Sequence, residues 1–219
     1  HVDRCKFFHM GTSSTFGNGL FAKGSYGTIS NCIADQVFDT AFNFERMTHG
    51  VMTNNVATNT GNGFAVTLEC ENIALSNNVS ITSSAKNFLV DKFVSAGGTL
   101  MKNVVLSNNV GKNAGTGGVG NNFFIKDANQ INLSNNIADT ADDSNFELQG
   151  STDVLIKGGL ATNSTAKYGI LVQDCDDILI SDLDIHNQFA YGVFSWDSDN
   201  VSIKGCKIHD VSQHQIRIK

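Results

Sequence analysis

Apolar and polar positions alternate along this chain in short bursts, each broken by a polar turn. One burst recurs almost unchanged: Asn72-Ile73-Ala74-Leu75-Ser76-Asn77-Asn78-Val79, then Asn103-Val104-Val105-Leu106-Ser107-Asn108-Asn109-Val110, then Gln130-Ile131-Asn132-Leu133-Ser134-Asn135-Asn136-Ile137. Looser copies begin at Gly27, Gly50, Val154, Ile178 and Val201. About fifteen residues after each copy comes a second apolar-x-apolar triplet. Its first residues form a register of Leu20, Phe42, Phe64, Phe88, Phe123, Phe146, Ile170, Val193 and Ile216, with spacings of 22, 22, 24, 35, 23, 24, 23 and 23.

Alternation with period two over three to five residues, bounded by Asn, Gly, Asp and Ser, predicts short strands separated by turns. No segment sustains a 3.6-residue period, which excludes helical repeats. A coil of about 23 residues must rise by one strand spacing, roughly 4.8 Å, and pair in parallel with the next coil. Such connections are overwhelmingly right-handed. The expected fold is therefore all-β: a right-handed single-stranded parallel β-helix of about nine coils, with residues 1–219 as one domain. Its interior should hold a ladder of Phe42, Phe64, Phe88, Phe123 and Phe146. The second position of each polar pair (Cys32, Asn55, Asn78, Asn109, Asn136, Gly159) should form a column that passes hydrogen bonds between coils. Asp182-Leu183 and Gly205-Cys206 replace the pair in the last two coils, so a turn of different shape is expected there.

Composition narrows the partners. The chain has 25 asparagines, 21 glycines and no proline, which suits a fold rich in tight polar turns. A net charge of -6 gives no basic patch to neutralise phosphates, so nucleic acid is excluded as the expected partner. No apolar run is long enough to span a membrane, and no signal-peptide pattern is present. Cys5, Cys32, Cys70, Cys175 and Cys206 show no CxxC and no zinc-ligand spacing and read as free thiols, with Cys32 and Cys206 facing inward. No cofactor and no metal are expected.

The run Tyr168-Gly169-Ile170-Leu171-Val172 followed by Asp177-Ile178-Leu179-Ile180-Ser181 resembles the pectin-lyase-like superfamily of parallel β-helices, and the resemblance extends over essentially the whole chain. It implies a groove over the sheet that contains the register strands. Outward positions there form two columns. One residue after the register lie Phe21, Asn43, Ala65, Leu89, Phe124, Glu147, Leu171, Phe194 and Arg217; three residues after it lie Lys23, Glu45, Thr67, Asp91, Lys126, Gln149, Gln173, Trp196 and Lys219. Glu147 is the single acid of the first column. Asp142-Asp143 precede it, where the superfamily's polygalacturonases carry paired aspartates, but the spacing differs by about one residue and the flanking histidine is missing.

Glycoside hydrolysis needs two carboxyl groups about 5 to 9.5 Å apart. Glu147 with Asp143 or Asp91 are the candidate catalytic acids, with Lys126 able to split their pKa values. Solvated charges on an open face are the alternative. Gln149, Gln173, Tyr191, Phe194 and Trp196 are the candidate sugar-binding residues, the aromatics offering faces for stacking or, equally, an interface between copies. The enlarged coil carries extensions at Asp91–Leu100 and Gly111–Asn122, and the glycine run 115–120 reads as a flexible rim. Asp174, Asp176, Asp177, Asp197 and Asp199 read as turn formers. The histidines receive no role, although His186 and His209 fall one coil apart.

The expected function is a polysaccharide-binding and polysaccharide-degrading β-helix most similar to phage tailspike depolymerases, a homotrimer on a virion or a secreted or cell-surface protein. The chain starts without a capping helix and stops on Ile216-Arg217-Ile218, inside a predicted strand, so a fragment of a longer chain, or a subunit whose ends are covered by partners, is expected. A lyase or uronate epimerase using Lys126 or Tyr168 as base is the second expectation, and a non-catalytic adhesin or stalk the third.

Overall fold

The computed structural model describes residues 1–11, 17–93, 100–115 and 119–219. Among these the chain forms strands and turns and no helix. Each coil pairs in parallel with the next, and the register column from Leu20 to Ile216 runs unbroken, like residue opposite like residue. The first triplets stack in the same way from Gly27 to Val201.

The sheet spacing dictates the core. Phe42, Phe64, Phe88, Phe123 and Phe146 stack at centroid separations of 5.2, 5.1, 4.8 and 4.8 Å and are buried. Identical backbones give identical rotamers, so the rings repeat at close to the strand spacing. The 35-residue interval leaves this stack intact, since Phe88 and Phe123 still pair and stack. The second extension is shorter than expected. Gly111 and Ala114 stay in register with both neighbouring coils, so the chain departs only after Ala114, where local alternation alone could not place the boundary. Residues 116–118 of the glycine run and 94–99 of the segment after Asp91 lie outside the described residues.

The asparagine column is a buried hydrogen-bond ladder. Asn109 Oδ1 accepts from the Asn78 backbone N–H (3.0 Å) and from Asn78 Nδ2 (3.1 Å), while Asn109 Nδ2 donates to the Leu75 carbonyl (3.0 Å) and to Asn136 Oδ1 (3.1 Å). Asn55 and Asn78 donate in the same way, Asn136 ends the ladder by accepting from Asn109 and donating to the Leu106 carbonyl, and Cys32 caps the other end by donating its N–H to Asn55 Oδ1. The first residue of each pair makes the bend: Asn31, Asn54, Asn77, Asn108 and Asn135 hold φ between 53° and 56°, a left-handed conformation that asparagine tolerates.

That division of labour corrects one expectation. Asp182 and Gly205 also adopt φ of 58° and 64°, and Lys207 N–H donates to Leu183 O at 2.8 Å as Val79 N–H does to Asn55 O at 2.9 Å. The last turns therefore keep the common shape, and what Leu183 and Cys206 remove is the carboxamide ladder. Leu183 is buried, while Cys206 is only partly so and packs at the core's margin. A second ladder, unnoticed in the sequence, lies just before the register: Asn87 Nδ2 donates to Asn122 Oδ1 (2.6 Å), and Asn122 Nδ2 to Asn145 Oδ1 (2.8 Å). All five cysteines are free thiols.

Replacing Asn109 by Ala strips acceptors from Asn78 and a donor from Leu75 O, and should cost roughly 2–4 kcal/mol. Asn108→Gly keeps the left-handed bend and should change stability by less than about 1 kcal/mol. Urea unfolding of the two variants checks this, and equal losses at both positions would contradict the ladder's role.

Candidate functional site

Three strands, Asn121–Lys126, Ser144–Gln149 and Tyr168–Gln173, lie side by side with Phe124, Glu147 and Leu171 in one outward row. Although outward, this row is not open. Glu147 is 6% exposed, flanked by the buried Phe124 and Leu171. Its Oε2 accepts from Asn121 Nδ2 at 2.7 Å, and its Oε1 from Gln149 Nε2 at 2.6 Å. Burial pushes the Glu147 carboxyl above the ordinary glutamate range, and the charge of Asp143 adds to the rise; the two amide donors oppose it.

Asp143 sits in the turn entering the Glu147 strand. Its Oδ2 accepts from the Lys167 ammonium at 3.0 Å, and this bond raises the Lys167 pKa. Lys86, on the outward column two residues before the register, faces the same group. Its Nζ lies 4.9 Å from the Phe124 ring centroid. Burial depresses its pKa, against the pull of Glu147, Asp143 and Asp91. Tyr168 borders the cluster, and burial raises its phenol.

The structure thus brings together Glu147 and Asp143 and leaves Asp91 apart. Asp91 opposes Lys126, which in turn opposes Gln149, placing it two coils and two residues from Glu147, about 12 Å by strand geometry. Its carboxyl is also raised by burial, and Oδ1 accepts from the Phe93 N–H at 2.8 Å. Lys126 accordingly sits nearer to Asp91 than to the Glu147–Asp143 pair. Lys86 and Asn121, which sequence reasoning missed, take that place. Their signal was present only as polar residues two before the register.

Among the aromatics, Phe194 is buried, with Tyr168 and Tyr191 stacked on it at 5.2 Å each. Tyr168 and Tyr191 lie 5.6 Å from each other, so the three rings form one cluster in which Phe194, 7% exposed, offers little face to a sugar. The Tyr191 hydroxyl accepts from Arg217 at 2.8 Å. Trp196 is 46% exposed and keeps an available face. Gln173 donates to Asp174. Asp174, Asp177 and Asp197 all hold left-handed turn conformations.

Toward the N-terminal coils the same face continues into a cavity of about 360 Å³ lined by Asn43, Asn62, Ala65, Thr67, Leu89 and Phe93 among others. A larger one, about 760 Å³, opens at another corner around Val37, Thr60 and Ser83, and no acid lines it. The histidines are not all scattered: His186 and His209 stack at 4.9 Å beside Asp184, on a different flank.

Residues 159–219 match the model of the right handed beta helix region. The A-module of the Azotobacter vinelandii mannuronan C-5 epimerase AlgE6 superposes with a TM-score of 0.67 at 17% identity, over 90% of this chain and 61% of that one. Tailspike protein 3 of bacteriophage CBA120 gives 0.61 at 11% identity, over 92% and 42%, and the alginate lyase of Paenibacillus sp. str. FPU-7 gives 0.56 at 10% identity, over 99% of both chains. The chain folds as a right-handed parallel β-helix. It spans about three fifths of the epimerase module. No curated protein matches the sequence significantly.

Because its folded-state pKa is raised, Glu147 binds its proton more tightly in the native than in the unfolded chain. Its contribution to stability therefore falls as pH rises from the ordinary glutamate range through the raised value. Thermal melts of the wild type from pH 4 to pH 8 should decline more steeply than those of Glu147→Gln. Parallel profiles would contradict the burial argument.

Proposed function

We propose that this β-helix processes a polysaccharide laid across the Glu147 face, cleaving it by hydrolysis. The observation that carries the reading is the pairing of a buried carboxyl, Glu147, whose pKa burial raises, with a second carboxyl, Asp143, that is bound to the Lys167 ammonium. Pushing two carboxyl pKa values apart is how glycosidases assign acid and base. Glu147 then protonates the glycosidic oxygen as the bond to the anomeric carbon breaks. Asp143 either attacks that carbon or draws a proton from the water that does, and a new reducing end results. Gln149, Gln173, Lys126, Tyr191 and Trp196 line the path of the chain on either side. The likeness to an alginate lyase, alginate epimerases and a tailspike supports a polysaccharide as ligand. Placement on a virion, as a homotrimer, or at a cell surface or in secretion belongs to the same proposal.

A second reading rests on Lys86. An amine depressed by burial, with the Glu147 and Asp143 carboxyls near enough to act on it, suits removal of the proton next to a uronate carboxylate. Return of a proton to the opposite face gives epimerisation; loss of the 4-linked oxygen gives elimination and an unsaturated sugar.

Incubation with alginate and with bacterial capsular and O-antigen polysaccharides separates these. Hydrolysis predicts new reducing ends without ultraviolet-absorbing product, and a fall in kcat of at least about 10²-fold in both Glu147→Gln and Asp143→Asn. Unsaturated product, or a changed epimer ratio, that vanishes in Lys86→Met would replace the first reading by the second. Binding without any product in the wild type would refute both.

A further inference from the structure

We propose that Asp184, His186 and His209 form a binding site for a first-row divalent transition-metal ion, on a flank of the helix separate from the Glu147 face. The site follows from coil stacking. Asp184 and His186 project outward from the strand Asp184–Gln188, two residues apart, and His209 projects from Lys207–Val211 directly opposite His186. Ile185 and Ile208, between them, face the core. Three ligand-bearing side chains thus occupy three corners of one outward rectangle in the sheet, and Lys207 occupies the fourth.

The ligand atoms converge. Asp184 Oδ1 lies 3.0 Å from His186 Nδ1 and 3.2 Å from His209 Nε2, and all three atoms lie within 4.8 Å of one another. Nitrogen and oxygen ligands about 2.0–2.1 Å from a tetrahedral ion stand about 3.3 Å apart, so only small shifts admit the ion. An independent contact points the same way. The other nitrogen of His209, Nδ1, lies 2.7 Å from Asp210 Oδ2, a carboxylate that accepts the Nδ1 proton when an ion beside Asp184 takes the Nε2 lone pair. A carboxylate behind a ligating histidine is the usual outer support of such a site. Asp210 is held there by a left-handed bend, φ 52°, shared with Asn163 and Asn187 on the preceding coils.

Two imidazoles and one carboxylate select zinc, nickel, copper or ferrous iron over calcium and magnesium, which prefer oxygen cages. The Lys207 ammonium approaches the other oxygen, Asp184 Oδ2, at 3.6 Å and its side chain is 70% exposed, so it swings clear without uncovering Oδ1. The remaining positions of the ion open to solvent.

The test uses the full metal-free chain with zinc chloride in calorimetry and cobalt chloride in visible absorption. One ion per chain is expected, with the intense bands of tetrahedral cobalt and with shifts of the His186 and His209 imidazole signals on zinc addition. His186→Gln, His209→Gln and Asp184→Asn should each weaken binding at least 10-fold. Asp210→Asn should weaken it about 10-fold or more through orientation alone, and Lys207→His, which adds a fourth ligand, should tighten it. Zinc at a hundredfold excess over Kd should raise the wild-type Tm by about 5 °C or more, and calcium should not. Zinc binding that survives both histidine substitutions, or imidazole signals unmoved by zinc, would overturn the proposal.

Discussion

Hydrogen bonds between one coil and the next force each residue to lie on its equivalent above and below, and every other feature of the molecule follows from that constraint. Stacking makes a core from repetition: a phenylalanine at one register position places rings at 4.8 to 5.2 Å for five coils. It also makes buried polar groups affordable, because an asparagine that would be unsatisfied alone finds its partner in the neighbouring asparagine. Like-on-like stacking favours residues that bind their own kind, namely aromatics, aliphatics and carboxamides. It penalises columns of like charge.

The candidate site departs from that rule, which is why it is noticeable. Around Glu147 the columns stop repeating. Lys86, Asn121, Ser144 and Tyr168 occupy successive coils before the register, and Leu89, Phe124, Glu147 and Leu171 after it. Apolar neighbours on both sides desolvate the acid, while Asp143 and Lys86 set charges around it. Buried ionisable groups on an outer face are the feature on which the proposed chemistry rests.

The fold was legible because its determinants are periodic. Coil length, the register from Leu20 to Ile216 and the Asn55–Asn136 column each follow from spacing, and the structure reproduces them residue for residue. The turn at Asp182-Leu183 was misread because the residue that bends the chain and the residue that carries the ladder are different members of the pair. The ladder of Asn87, Asn122 and Asn145 was hidden because glycines Gly63 and Gly169 stand at the same position on neighbouring coils and dilute the pattern. Glu147 was found as the odd acid in a column. Lys86 was not, since its meeting with Glu147 depends on two coil lengths, one of them the irregular 35, and its burial depends on Phe124. The same holds for His209, whose support by Asp210 depends on a backbone bend.

The central claim is that a polymer lies across the Glu147 face, with its cleavable bond over that carboxyl. A crystal structure of the inactive Glu147→Gln chain with an oligosaccharide of the active polymer tests this most directly. The account predicts sugar rings crossing the strands of Phe124, position 147 and Leu171, with one glycosidic oxygen within hydrogen-bonding distance of the side chain at 147. Sugar seated instead in the corner cavity around Val37, Thr60 and Ser83, with the Glu147 face empty, would contradict it.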